Sequence, residues 1–285
     1  MKLLEFKDRL DSIRNLPTLP LVIENLGTAL RDPDVNASRI AEIIEDDPAI
    51  MARIMKVVNS SYYLGTQQTT TLREAIVRIG FQAVSNIAMS AAVFSTFPPN
   101  AETVFDRTDF WRHCIFTGIA AEIMRSRLSR FANLDFGRET LHLCGLLHDI
   151  GKIIFEQYFH DPFVQALQLS QAEKIPLSEA EIRVMGIDHA QAGAWLGRKW
   201  NLSEPILEVI RWHHKPRNAG KAYRELVVLC HFSDLAVNMN RLGSSGNAFP
   251  KVDPAFEGER EHLESLIGLI GEDAASSSLL MSFLR

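Results

Sequence analysis

Apolar residues recur along this chain at spacings of three and four almost from end to end. No sustained alternation of apolar and polar positions bounded by turn residues interrupts them. The pattern predicts an all-α protein, and local punctuation divides it into elements. Pro17 and Pro20 set off LVIENLGTALRD, Asn36 can cap SRIAEIIED, and Asp47 with Pro48 at the first helical position opens AIMARIMKVVNSS. Gly65 and the run TQQTTT read as a loop, after which Thr71 caps LREAIVRI and Gly80 ends it. FQAVSNIAMSAAVFSTF closes a first lobe. Phe97-Pro98-Pro99-Asn100 then reads as a hinge, because consecutive prolines cannot continue a helix.

A second lobe is expected to begin with a helix from about Asp109 to Leu128, followed by one from about Thr140 that carries GLLHDIGK, residues 145–152. Further helices are predicted at 162–173, from about Ser178, from Asp188 to Trp200, from Ser203 to His214 with Pro216 as the stop, and from Leu226 to Arg241. Leu242 to Gly258, rich in Gly, Ser, Asn and Pro, reads as a loop or linker. Two short C-terminal helices are expected to pack back on the body. The predicted architecture is two helical lobes, an N-terminal bundle over 1–100 packed on a second helical domain over 101–242, with 243–285 as loop and terminal helices. No internal repeat is visible.

Composition narrows the class. A chain of 285 residues is long for one hydrophobic core, and 46% hydrophobic with 23% charged residues is a globular composition. The formal charge of −5 argues against broad attraction to nucleic acid or anionic lipid. MKLLEFKDRLDSIRNLP is too charged for a signal peptide, and no apolar stretch reaches the roughly 18 to 20 residues that span a bilayer, so no membrane association and a cytoplasmic location are expected. Three cysteines without a CxxC spacing fit a reducing compartment.

The candidate chemistry lies in histidines and aspartates. His148 and Asp149 are adjacent, so on a regular helix they would diverge by about 100°, and sharing one site requires a helix end or kink, which Gly151 eases. Imidazole nitrogen with carboxylate oxygen suits iron, manganese, nickel or zinc. His113 sits mid-helix in DFWRHCIFTGIAAEI, His189 follows Asp188 at a helix start, and His213 and His214 stand at a helix end. Asp234 lies in the apolar LVVLCHFSDLAV, where a buried carboxylate needs a cation. Each has an ordinary reading when taken singly. The paired histidines would complement a helix dipole, and His189 would be a first-turn surface residue. Cys144 and Cys230 each precede a candidate ligand by four residues, and Cys114 follows His113. They could line a site, but free cysteine is first a small core hydrophobe. Asp109, one turn before His113, reads as a dipole partner or an outer carboxylate. His142, His160, His231 and His262 are left as surface or core residues.

The order His113, His148-Asp149, His189, His213-His214, Asp234 resembles the ligand succession of the HD superfamily of metal-dependent phosphohydrolases, and most closely the two-metal HD-GYP branch. The resemblance implies one metal held by His113, His148, Asp149 and Asp234 and a second by Asp149, His189, His213 and His214. Asp149 would bridge two divalent transition metal ions, and Lys152 would face a substrate phosphate. LPTLP, IAEIIEDDPAIMARIMKVVNSSYY and LREAIVRIG resemble the HDOD family, bacterial signalling relatives of the HD proteins. With the HD-like region the likeness covers roughly residues 15 to 240. Within it, Asn59 and Ser60 fall in the family's order, although by their chemistry alone they are helix-ending polar residues.

The chain departs from both relatives. HDOD proteins commonly lack several metal ligands and are regarded as non-enzymatic, whereas the ligand set here is complete. The HD-GYP branch carries Asp-Gly-x-Gly-Tyr-Pro after its paired histidines, whereas this chain reads KPRNAG. The resemblance therefore implies a signalling protein with an HD-type metal site and an unnamed protein partner. The alternative is a phosphohydrolase that cleaves a phosphoester or nucleotide by metal-activated water, with Asp149 and Lys152 as its catalytic pair. A di-iron redox centre is a minor third reading.

Overall fold

A computed structural model describes residues 8–13, 16–59, 68–97 and 105–259. Every regular element among them is helical, and no strand occurs there. The chain divides into two compact units, one built on residues 17–98 and the other on 1–16, 99–136 and 140–273. The predicted hinge at 98–100, Gly65 with the start of its loop, and the two C-terminal helices lie outside the described residues.

In the first unit, helices α1 (Leu21–Ala29), α2 (Ala37–Glu45), α3 (Pro48–Val58) and α4 (Leu72–Ile79) gather around α5 (Phe81–Thr96), whose middle is buried through Val84, Ile87, Met89 and Val93. The predicted caps form. Asn36 accepts from the Arg39 N–H at 3.1 Å, Asp47 accepts from the Ala49 and Ile50 N–H groups, and Thr71 with Glu74 makes a reciprocal capping box. Asn59 does more than end α3. Its amide donates to the Thr69 carbonyl and its Oδ1 accepts the Thr69 N–H, both at 2.8 Å, so it clamps the far end of the following loop like a short piece of sheet. Ser60 lies outside the described residues.

The second unit carries α6 (Arg107–Arg127), α7 (Arg138–Leu147), α8 (Gly151–Tyr158), α9 (His160–Glu173), α10 (Leu177–Met185), α11 (His189–Lys199), α12 (Glu204–Trp212) and α13 (Arg224–Met239). Helix α6 runs along α13, and α8 runs along α11, which also packs on α12. The single helix predicted through GLLHDIGK is two helices, with His148, Asp149 and Ile150 forming the turn between them.

Glycines flank that turn for a steric reason. A Cβ at Gly145 would stand 2.1 Å from the Gly118 nitrogen on α6, and one at Gly151 would stand 1.9 Å from the His189 carbonyl oxygen on α11. Backbone contact at both ends brings the His-Asp turn between α6 and α11. Gly151 is thus needed for close approach, and its φ is not positive. Of the loop predicted from Leu242 to Gly258, residues 242–253 are irregular and tied down, whereas Pro254–Glu259 is a 3-10 helix. The Ser244 N–H donates to the Asp109 carbonyl at 3.1 Å, Asn247 Oδ1 accepts the Leu177 N–H at 3.1 Å, and the Asp253 N–H donates to His231 Nε2 at 3.1 Å.

Candidate metal centre

The seven residues proposed as ligands come from five places in the second unit and meet in two groups that share Asp149. His113, His148, Asp149 and Asp234 form one group, and Asp149, His189, His213 and His214 form the other. In each, one ligand atom per residue lies within 4.8 Å of all the others. The Asp149 carboxylate divides between them. Oδ2 lies 3.3 Å from His148 Nε2 and 3.8 Å from His113 Nε2, and Oδ1 lies 3.0 Å from His189 Nε2 and 3.5 Å from His213 Nε2. Asp234 Oδ1 closes the first group at 3.0 Å from His113 Nε2. His214 Nε2 closes the second at 2.7 Å from His189 Nε2. All but His214 are buried.

Hydrogen bonds fix which nitrogen each ring offers. His148 Nδ1–H donates to the Gly145 carbonyl at 2.8 Å, and His213 Nδ1–H donates to the Ile210 carbonyl at 3.0 Å. His189 Nδ1–H donates to Glu181 Oε2 at 2.6 Å. Each leaves Nε2 toward Asp149, the tautomer a metal ligand requires.

A cation fits this set on grounds the geometry supplies. His113 Nε2, His148 Nε2, His213 Nε2 and Asp149 Oδ1 are buried without a hydrogen bond, although carboxylate and imidazole atoms stand beside them. An unmet buried polar atom costs about 1–3 kcal/mol, so several converging on two points call for a positive charge between them. Two Nε2 atoms 2.7 Å apart likewise require a proton or a cation. Imidazole and carboxylate donors match borderline divalent ions, whereas magnesium and calcium sites are built from oxygen.

The electrostatics agree. Burial opposes charge on Asp149, but His148, Lys152 and His189 outweigh it and hold its carboxyl well below the usual range. Burial likewise opposes charge on Asp234, and His113 with His148 overcomes it. Burial pushes His148 down, yet Asp149 and Asp234 lift it to about 10. His189 is raised against burial by Glu181 and Asp149 to about 9. Burial lowers His113 and His213, and burial together with the neighbouring histidines lowers His214 further, so these stay neutral. Without a metal, protons on His148 and His189 supply the positive charge.

Lys152 is buried and donates to Asp149 Oδ2 at 2.5 Å, so its ammonium already lies against the shared carboxylate. Asp109 pairs with Arg112 at 3.0 Å and is no member of either group. The three thiols are buried core groups, and burial raises the pKa of each.

The supporting residues escaped the sequence reading. Glu181, fully buried, holds both the His189 ring and its N–H, the latter at 2.8 Å. It stands between Leu177 and Met185 on the buried face of α10, and an acid in that apolar row was the available signal. His231 donates from Nδ1 to the His213 carbonyl at 2.7 Å and accepts the Asp253 N–H, while burial lowers its pKa to about 4. Asn238 donates to Asp234 Oδ1 at 2.7 Å.

The second unit is thus an all-helical body with histidines and aspartates grouped around one adjacent His-Asp pair. The HDOD domain family matches residues 16–216, and the chain belongs to that family. It is 26% identical over 227 residues to an uncharacterised protein of Treponema pallidum (strain Nichols), covering 80% of this chain and 43% of that protein, so it spans less than half of that relative's length. Among solved structures it is similar to an HDOD domain protein of unknown function from Geobacter sulfurreducens (TM-score 0.78, 23% identity, 99% of this chain and 96% of that one). It is also similar to a candidate signal transduction protein from Marinobacter aquaeolei VT8 (TM-score 0.80, 20% identity, 99% and 66%). A candidate phosphohydrolase from Shewanella amazonensis SB2B aligns at TM-score 0.68 with 21% identity, covering 98% and 96%. At these identities the likeness is one of fold.

Proposed function

We propose that this HDOD protein is a signal-transduction component with a functional HD-type centre for two divalent transition metal ions. The observation that carries the reading is the division of Asp149 between two ligand groups, one oxygen facing each. His113, His148 and Asp234 would hold one ion with Asp149, and His189, His213 and His214 the other. Ions bound there would supply Lewis acidity toward a phosphoester and lower the pKa of bound water. Glu181, the Gly145 carbonyl and the Ile210 carbonyl keep three rings in the tautomer that offers Nε2. Lys152 neutralises Asp149 and would turn to a substrate phosphate oxygen once a cation takes its place.

The second reading, a phosphohydrolase, is favoured by the completeness of the two groups, since a module retained only for protein contact has no need of seven converging ligand atoms. Elemental analysis of purified protein, with Asp149→Ala beside it, tests the metal. The expected result is two ions per chain, both lost in the variant while partner binding and fold persist. A folded wild-type protein that takes up no iron, manganese, nickel or zinc contradicts the proposal. Turnover of a generic phosphodiester by the loaded protein, abolished in Asp149→Ala, would decide for the enzyme.

A further inference from the structure

His214 is the one proposed ligand that is not fully buried, and it lies on the wall of a cavity of about 270 Å³ within the second unit. Two indoles, Trp195 and Trp212, share that wall with three cations, Arg198, Arg211 and Lys215. None of these cations pairs with a carboxylate among the described residues. The acid lining the cavity, Asp188, is occupied as a helix cap, accepting the Gln191 N–H at 2.9 Å. The Arg211 guanidinium carbon lies over the Trp212 ring, 4.8 Å from its centre, a cation–π placement that leaves N–H groups for an anion. Trp195 is fixed by donating from Nε1 to Asp11 at 2.9 Å, and Leu10 of the same segment closes one side.

Positive charge without a carboxylate partner, two indoles and a proposed metal ligand on one wall make a specific chemical demand. Cations with a metal-facing histidine suit a phosphate, and two indoles suit a flat ring. We propose that this cavity binds one planar-ring phosphomonoester, a nucleoside monophosphate. Its ring lies against Trp195 and Trp212, and its phosphate lies among Arg198, Arg211 and Lys215 beside His214. The proposal rests on the metal reading above for the direction of the phosphate. The size agrees, because about 270 Å³ is near the lower bound of roughly 300 Å³ for small-molecule pockets and matches one ring with its sugar better than a dinucleotide.

The test titrates the full, metal-containing protein with adenosine 5′-monophosphate, ribose 5-phosphate and inorganic phosphate, following tryptophan emission and heat of binding. The expected order is adenosine 5′-monophosphate about tenfold tighter than ribose 5-phosphate, the size of effect that base–indole stacking gives. Trp195→Leu should erase most of that preference and leave ribose 5-phosphate binding unchanged, whereas Trp212→Leu, which also releases Arg211, should lose the preference and weaken both esters, and Trp212→Phe should restore part of each. Arg211→Gln should weaken both esters. Equal affinity for the two esters, or a preference that survives both tryptophan substitutions in folded protein, overturns the inference. A protein that purifies without metal yet shows the ring preference refutes the metal reading and keeps the cavity assignment. A metal-containing protein without the preference refutes the cavity assignment alone.

Discussion

At the scale of single residues, the ligand types were legible because histidine and aspartate on apolar helical faces need partners. Their supports were not, since Glu181 reaches His189 and His231 reaches the His213 carbonyl only through the way one helix folds back on the next, which no pattern within a single helix displays. Glu181→Gln removes the carboxylate that polarises His189 and should lower metal affinity about 10–100-fold with the fold intact, as read by chelator competition. Unchanged affinity would deny Glu181 that role. The raised histidines give a pH dependence whose sign is fixed. His148 at about 10 and His189 at about 9 carry protons near neutrality in the metal-free protein, so an incoming cation must displace them. Affinity should therefore rise with pH toward 9, by up to about tenfold per pH unit for each displaced proton. Calorimetry in two buffers of different ionisation heat should detect proton release, and pH-independent binding would contradict it.

At the scale of elements, caps and breakers placed most helices within a few residues, because Asn36, Asp47, Thr71 and Asp188 act on their own first turns. The break at 148–150 was foreseen only as a requirement of the chemistry. Its cause, backbone contact at Gly145 and Gly151, depends on α6 and α11 and is invisible in a local window. Gly151→Ala would press a methyl group into the His189 carbonyl, so we expect a loss of about 1–3 kcal/mol in urea unfolding together with impaired metal uptake. Thr71→Ala, which removes a cap in the other unit, should cost about 1 kcal/mol and leave metal content untouched. If both variants affect metal uptake equally, the crossing at Gly151 does not control the site.

At the scale of the whole molecule, periodicity gave the all-α class. The two contact-defined units follow from where buried faces meet, which no window of sequence displays: residues 8–13 group with the unit that carries the candidate metal centre, and 17–98 build the other. No single described helix is long and apolar enough to cross a membrane, and α5, the longest of the first unit, buries its apolar middle within that unit. Because the proposed ions tie together α6, the 148–150 turn, α11, the end of α12 and α13, removing them should lower the melting temperature of that unit. The most direct measurement is anomalous X-ray scattering from crystals of untreated protein at the iron, manganese, nickel and zinc edges. The account predicts two peaks, one on each side of the Asp149 carboxylate. A map with no peak there, in protein that scatters well, would contradict it.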